Sequence, residues 1–319
     1  MLRDAFAAFV GRTAAPYQAA VLRIGTGLAW GGFLLREWPH RRVLYGDLSP
    51  WSAELNARLI AESHAFTVLG WSEGRLWFEL VYHLAIAAAV LLVLGWRTRA
   101  VGVLFAVTVV SLQNRNVFVG DGGDNVIHLM AIYLVLTRCG RVWSLDARRR
   151  ARRPARPPGG ELRALMDALT TMLHNCGMLV IAGQVVLVYA TAGWYKVQGS
   201  RWQDGTALHY PLHLDYFTPW PALSGLLGAS LLVTFLLSYG TVVLQVGFPF
   251  ALANRRLKNV LLALMVAEHA VIAVVLGLPF FSLAMIAADA VFLPTGVLLA
   301  AERRIRRLAG HPGAVPSVG

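Results

Sequence analysis

Apolar residues run in long blocks along this chain instead of alternating with polar ones. Charge-poor blocks cover Tyr17–Leu35, Leu76–Leu94, Ala100–Val117, Asn125–Leu136, Cys176–Tyr195, Leu227–Phe250, Asn259–Leu276 and Pro279–Ala301. Crossing a bilayer takes ~20 apolar residues in a helix, which satisfies its own backbone where no water can. The pattern therefore predicts an all-α, polytopic membrane bundle of about eight transmembrane helices. The short fourth block is expected to extend to Arg138. No signal peptide is expected, because Arg12 follows the apolar residues 5–10 at once and no small-residue cleavage pattern appears.

The polar segments between the blocks set the orientation. Arg3 and Arg12 precede the first block, Arg97 and Arg99 separate the second and third, and the run Arg148–Arg156 separates the fourth and fifth. Arg255, Arg256 and Lys258 follow the sixth, and Arg303–Arg307 follow the eighth. With eight helices all of these fall on one side, so both termini are expected in the cytosol. The domain plan is a single membrane domain over residues 1–302: four helices, a basic proline-containing linker at 146–160, and four more helices. A basic cytosolic tail at 303–319 follows. The linker serves as a topology signal, with anionic lipid heads as a second reading. No repeat relates the two halves, which argues against an inverted-repeat transporter.

Composition agrees with this plan. Of 319 residues, 57% are hydrophobic and 14% charged, and the mean hydropathy is +0.57, which leaves little for a separate soluble domain. The net charge of +12 is placed beside apolar blocks and not along a groove, so the expected partner is the lipid bilayer and not nucleic acid. Cys139 and Cys176 fall at cytosolic helix ends and are expected as free thiols. No Walker loop, dinucleotide fingerprint, HExxH or CxxC occurs, and the nine histidines form no zinc pattern with cysteine, so no metal is expected. Of 29 basic residues only Lys196 and Lys258 are lysines.

Candidate chemistry lies at the outer face and inside the helices. In QNRNVFVGDGGD (Gln113–Asp124), Asp124 or Asn125 is a natural N-cap for a helix starting at Val126, accepting from Ile127 or His128. Asn114, Arg115 and Asn116 beside a span imply hydrogen bonds to a substrate or to a neighbouring loop. Ionisable residues within spans are functional candidates by default. Arg23 is expected to snorkel from the first helix. Glu79 and His83 share a face of the second at i, i+4, and His128 occupies the first turn of the fourth. Glu268 and His269 sit mid-span in the seventh and Asp289 mid-span in the eighth, as a polar network between helices or as a proton path. Gly27 and Gly31 mark close helix packing. Lys196 closes the fifth helix at the outer end, where it reads as an interface anchor or as a base, since an amine can take up a proton and a guanidinium cannot.

Several segments together resemble the membrane domain of vitamin K-dependent γ-carboxylases, in bacteria the horizontally transferred transmembrane domain. These are AAVLRIGTGLAWGGFLL with its embedded Arg23, LGWRTRAVGVLF (Leu94–Phe105), QNRNVFVGDGGDN (Gln113–Asn125) and WSLDA (Trp143–Ala147). Most specific is AGWYK (Ala192–Lys196) followed by WQDGTALHY (Trp202–Tyr210). The resemblance covers about Tyr17–Ala300 and is nearest to the bacterial branch of the sporulation-delaying protein B type. It implies a cell-membrane protein that modifies or matures a small exported peptide at the outer leaflet, through carboxylation dependent on a reduced, vitamin K-like quinone with O2 and CO2. Lys196 would be the base, with His128 and Asp124 as further catalytic candidates. Asn114, Arg115, Asn116, Asn125, Trp202, Asp204, His209 and Tyr210 would line the substrate site. The alternative is a non-catalytic membrane partner in peptide-toxin maturation or immunity. The large lumenal domain of animal carboxylases has no counterpart after Ala300. Asp124 and Asn125 occupy the region of the family's histidine, with His128 one helical turn further on.

Overall fold

The computed structural model describes residues 9–154 and 160–308, and all regular structure among them is helical. Part of the linker, with Pro157 and Pro158, and the tail 309–319 lie outside the described residues. Leaving unnumbered the helices of the connecting segments, such as Ala53–Ser63, the order is α1 Pro16–Arg36, α2 Arg75–Leu94, α3 Thr98–Gln113, α4 Gly122–Leu136, α5 Glu161–Gln198, α6 Leu231–Ala251, α7 Arg255–Val275, α8 Pro279–Asp289 and α9 Thr295–Leu308. Neighbours in sequence pack as neighbours in space, and α8 closes the bundle by packing on α1, α4 and α7. Glycines let α1 approach its partners closely. A Cβ on Gly25 would strike Ala287, and one on Gly27 would lie 2.8 Å from Val93 Cγ2 and 3.2 Å from the Ala89 carbonyl. Outward faces of α2, α6 and α7 expose Leu76, Leu231, Leu232 and Val260, an apolar surface that suits lipid and not water.

The helix ends follow their local sequence. α2 stops at Gly95, whose φ of +69° admits the left-handed cap and which sits against Ser144 and the Arg23 guanidinium. α3 begins where Asp146 accepts from the backbone N–H groups of Arg97 (2.9 Å) and Thr98 (2.8 Å). The start of the expected linker is thus an ordered helix, Leu145–Ala151, capped by Ser144 and fastened to α3. At 38 residues α5 is roughly 57 Å long, and the predicted span Cys176–Tyr195 is its C-terminal half.

Two expectations change. Pro279–Ala301 is not one continuous helix: the chain leaves the helix at Leu293, and the two pieces Pro279–Phe292 and Thr295–Leu308 meet at 115°. Pro294 is the cause, since it lacks an N–H and forces the residue before it into extended geometry. By length and composition, four helices (α2, α5, α6 and α7) suffice to cross a membrane, or five with the bent pair counted as one, while α3 and α4 are shorter apolar helices.

Arg23 does not snorkel. It is fully buried, donating through Nη1 to the carbonyls of Leu92 and Val93, through Nη2 to Trp143 (2.7 Å) and through Nε to Cys139 (3.3 Å). These carbonyls lie at the end of α2 and in the turn after α4, where helix ends leave backbone oxygens short of partners, so one side chain ties α1, α2 and the α4 exit together. The basic segments gather at this same end: Arg141 donates to Thr13, Gln18 to Leu293 and Thr295, and Lys258 to the Phe292 carbonyl. Cys139 is buried, Cys176 exposed, and both are free thiols.

Candidate functional site

Lys196 ends α5 at the other end of the bundle, and what faces it was not legible as a unit. Its Nζ donates to Gln245 Oε1 of α6 at 2.9 Å and lies 5.1 Å from the centre of the Trp202 ring. Tyr189, Gly193 and Lys196 share one face of α5 by helical spacing, and Gly193 lets α6 close in, with Val246 Cγ2 2.9 Å from where a Cβ would be. Glu268 of α7 lies within electrostatic reach of Lys196, with the Thr241 hydroxyl and the Gln245 amide beside its carboxylate, whose oxygens are both shielded from solvent.

One step deeper, the buried Tyr189 hydroxyl is 3.2 Å from His269 Nε2 and 3.0 Å from Asp289 Oδ2. His269 and Asp289 are themselves almost wholly buried, and His269 Nδ1 and Asp289 Oδ1 have no partner. A phenol has a single proton to donate. One of the two contacts must therefore be donated by His269 or by a protonated Asp289, and the proton's position in the triad can change without moving a heavy atom. The expected network of Glu268, His269 and Asp289 thus takes in two more residues: Gln245, which sits between Lys196 and Glu268, and Tyr189, which joins His269 to Asp289. Sequence reading missed those two, although a lone amide inside the apolar block Leu227–Phe250 was a signal.

The segment after α5 folds back over Lys196. Asp204 accepts from Thr206 N (2.9 Å) and Oγ1 (2.5 Å), bonds that hold its carboxyl below the ordinary range. Gly205, at φ +75° and tight against Phe235 and Tyr239, closes the turn. His209 stacks on His213 with ring centres 4.0 Å apart, and Arg201 covers Tyr210. Of this segment, Trp202 is the candidate that the structure brings to Lys196.

The other candidates assemble elsewhere. Asn114 donates to the Phe66 carbonyl and Asn116 to that of Leu44, each at 2.8 Å, and Arg115 donates to Trp51 and Gly46 carbonyls. Of the two partners the sequence left open, the neighbouring loop is the one in contact. Glu79 receives a two-pronged bond from Arg41 (2.9 and 3.0 Å), and His83 accepts from Trp38, which fastens the outer loop to α2. His128 contacts Gln113 Oε1 at 2.8 Å, and Gln113 donates to the Asp124 carbonyl. Asn125 is exposed. Among the described residues, no hydrogen bond or ion pair joins this group to Lys196, and no cluster of three or more His, Cys, Asp or Glu side chains has metal-binding geometry.

The α4 cap also differs from expectation. Asp121 is the N-cap, accepting from Gly123 (2.6 Å) and Asp124 (3.3 Å), while Asp124 Oδ2 accepts from Asp121 N at 2.8 Å. The reciprocal pair starts the helix at Gly122, so Asp124 serves the turn before it and not Ile127 or His128. Asp121→Ala is expected to cost about 0.5–2 kcal/mol, read as a lower melting temperature in detergent. Asp124→Ala should behave alike if Asp124 only caps, with activity following protein abundance. Lost activity at full abundance would give Asp124 a chemical role.

The sequence of this helical bundle, from the outer loop before α2 to the break after α8, matches a known family over most of the chain. The model of the HTTM domain, the horizontally transferred transmembrane domain, covers residues 62–296. The chain belongs to the HTTM family. It is therefore a multi-pass membrane protein related to the carboxylase family its motifs resemble. It is also similar to the "Uncharacterized protein YitO" of Bacillus subtilis (strain 168), with 29% identity over 204 residues. That match takes in 63% of this chain and 62% of the relative, so the chain spans less than two thirds of that protein's length. No solved structure matches the chain significantly.

Proposed function

We propose that this HTTM protein is a membrane-embedded enzyme that modifies an exported peptide at the outer leaflet, with Lys196 as its base. The observation that carries the reading is the Lys196 amine, hydrogen-bonded to a neutral amide, beside the water-shielded carboxylate of Glu268. Unpaired buried polar atoms are costly. His269 Nδ1 and Asp289 Oδ1 are such atoms, and with the shielded Glu268 carboxylate between them and Lys196 they are better explained by a site that holds and moves protons than by packing. Gln245 orients the amine without supplying a counter-charge. Glu268 can take the proton from Lys196, and the Tyr189–His269–Asp289 triad gives a second place for it within the bundle.

These groups also suit a reduced quinone: the neutral amine and the Glu268 oxygens would accept from its hydroxyl groups, and the Trp202 ring offers an apolar face beside the amine. When bound, such a quinol would supply the electrons that O2 takes up, and CO2 would supply the carboxyl group added to a peptide carbon that has lost a proton. The test of the reading is the mass of a secreted peptide co-expressed with the wild-type protein or with Lys196→Arg. A peptide of unchanged mass in both sinks it.

Orientation has its own measurement. With the arginine-rich end in the cytosol, a cysteine at Ser200 is expected to react on whole cells with an impermeant thiol reagent, and one at Ala151 is expected not to. The reverse labelling would move the lysine site to the cytosolic face.

A further inference from the structure

The arginine-rich end, far from Lys196, holds a cavity of about 510 Å³ between the α2–α3 turn, the end of α4 and the Leu145–Ala151 helix. Arg97, Arg99, Arg138, Arg141 and Arg150 line it against a single carboxylate, Asp146. That carboxylate is engaged by the Arg97 and Thr98 N–H groups and by Thr98 Oγ1 at 3.0 Å. Arg138 has a partner in Asp167 (3.0 Å) and is steadied by Thr171 (2.7 Å). Arg141 and Arg150 are held only by neutral oxygens, Thr13 Oγ1 (2.6 Å) and the Gly140 carbonyl (2.5 Å). Arg99 makes no ion pair among the described residues. Burial, with the guanidiniums of Arg138 and Arg150 close by, holds the Arg141 side chain below the ordinary arginine value.

Arginines that only set topology need to be near a span and nothing more. Here Arg138, Arg141 and Arg150 are pinned around one volume, and of the five lining arginines only Arg138 has a side-chain ion pair among the described residues. The volume exceeds what a halide needs, and guanidinium forks match the oxygens of phosphate.

We propose that this pocket binds a phosphate-bearing anion, as the headgroup of an anionic lipid of the adjoining leaflet or as a free phosphate compound. The site lies outside the lysine centre and does not depend on the reaction performed there.

Native mass spectrometry of the purified full chain, offered phosphatidylglycerol, phosphatidylcholine and pyrophosphate, tests this. Phosphatidylglycerol retained over phosphatidylcholine identifies a lipid headgroup, and pyrophosphate bound without phosphatidylglycerol identifies a free phosphate compound. In either case the double variant Arg99→Gln, Arg141→Gln is expected to weaken binding about tenfold or more. Arg58→Gln, on an exposed arginine paired with Glu54, should leave it unchanged. No preference over phosphatidylcholine together with no pyrophosphate bound, or equal binding by the double variant, overturns the proposal. The pair Arg99→Lys, Arg141→Lys keeps the charge that sets orientation and removes the forks. It is expected to label at Ser200→Cys as the wild type does and to bind several-fold more weakly, and undiminished binding there also overturns the proposal.

Discussion

Lys196→Arg is expected to abolish peptide modification while leaving protein abundance near wild type. Arginine keeps the positive charge, the length and the ability to donate to Gln245 Oε1, so an anchor at the membrane interface would tolerate the change. What it cannot do is give up a proton in any protein setting. The loss should therefore fall on the chemical step, by about 100-fold or more for a positioned base, and not on folding. Lys258→Arg is the matched control, because Lys258 only donates to the Phe292 carbonyl, at 2.6 Å, and should retain activity. The measurement is the fraction of co-expressed peptide carrying the added mass, normalised to membrane protein level. Full modification by Lys196→Arg would remove the lysine base from the proposal.

Arg23→Met is expected to be the most destabilising single change in the chain. The guanidinium satisfies four carbonyls, those of Leu92, Val93, Cys139 and Trp143, at a site closed to water. Methionine fills similar volume and leaves the Val93, Cys139 and Trp143 carbonyls unpaired, while that of Leu92 keeps the Gly95 N–H; at about 1–3 kcal/mol each the loss should exceed about 3 kcal/mol and empty the membrane of folded protein. Arg23→Lys, with three donors on a point charge and no planar fork, should fall in between. Thermal unfolding of purified protein in detergent, followed by size-exclusion recovery, separates these. A snorkelling arginine would instead make Lys and Gln nearly neutral replacements, and that result would contradict the buried clamp.

How the candidate residues sort themselves follows from what each signal depends on. The helical class and the gathering of basic segments at one end were legible because block length and charge placement are local properties, set by the cost of unpaired backbone and charge in a bilayer. The close approach of α1 to α2 was legible in Gly27 and Gly31 for the same reason. The break at Pro294 carried a local mark too, yet the apolar run through it read as one span, because hydropathy averages over a residue whose effect is geometric.

Partnership was not legible. Arg23 shows the limit best: an arginine in an apolar helix is equally compatible with snorkelling and with clamping, and only the arrival of the α2 end and the α4 exit beside it decides. Asn114, Arg115 and Asn116 pose the same question, and the outer loop answers it by offering them backbone carbonyls. Likewise Lys196 was visible as a rare lysine in a family motif, while Gln245, Glu268 and the Tyr189–His269–Asp289 triad come to it from four helices up to 100 residues apart. Block length and residue type were enough to say which segments are helical and which side chains are costly to bury. Only the packed bundle shows where those costs are met by a partner, as at Arg23 and Asn116, and where they stay unmet, as around Lys196. Hydrogen-bond satisfaction depends on distance in space, and position along the chain does not report it.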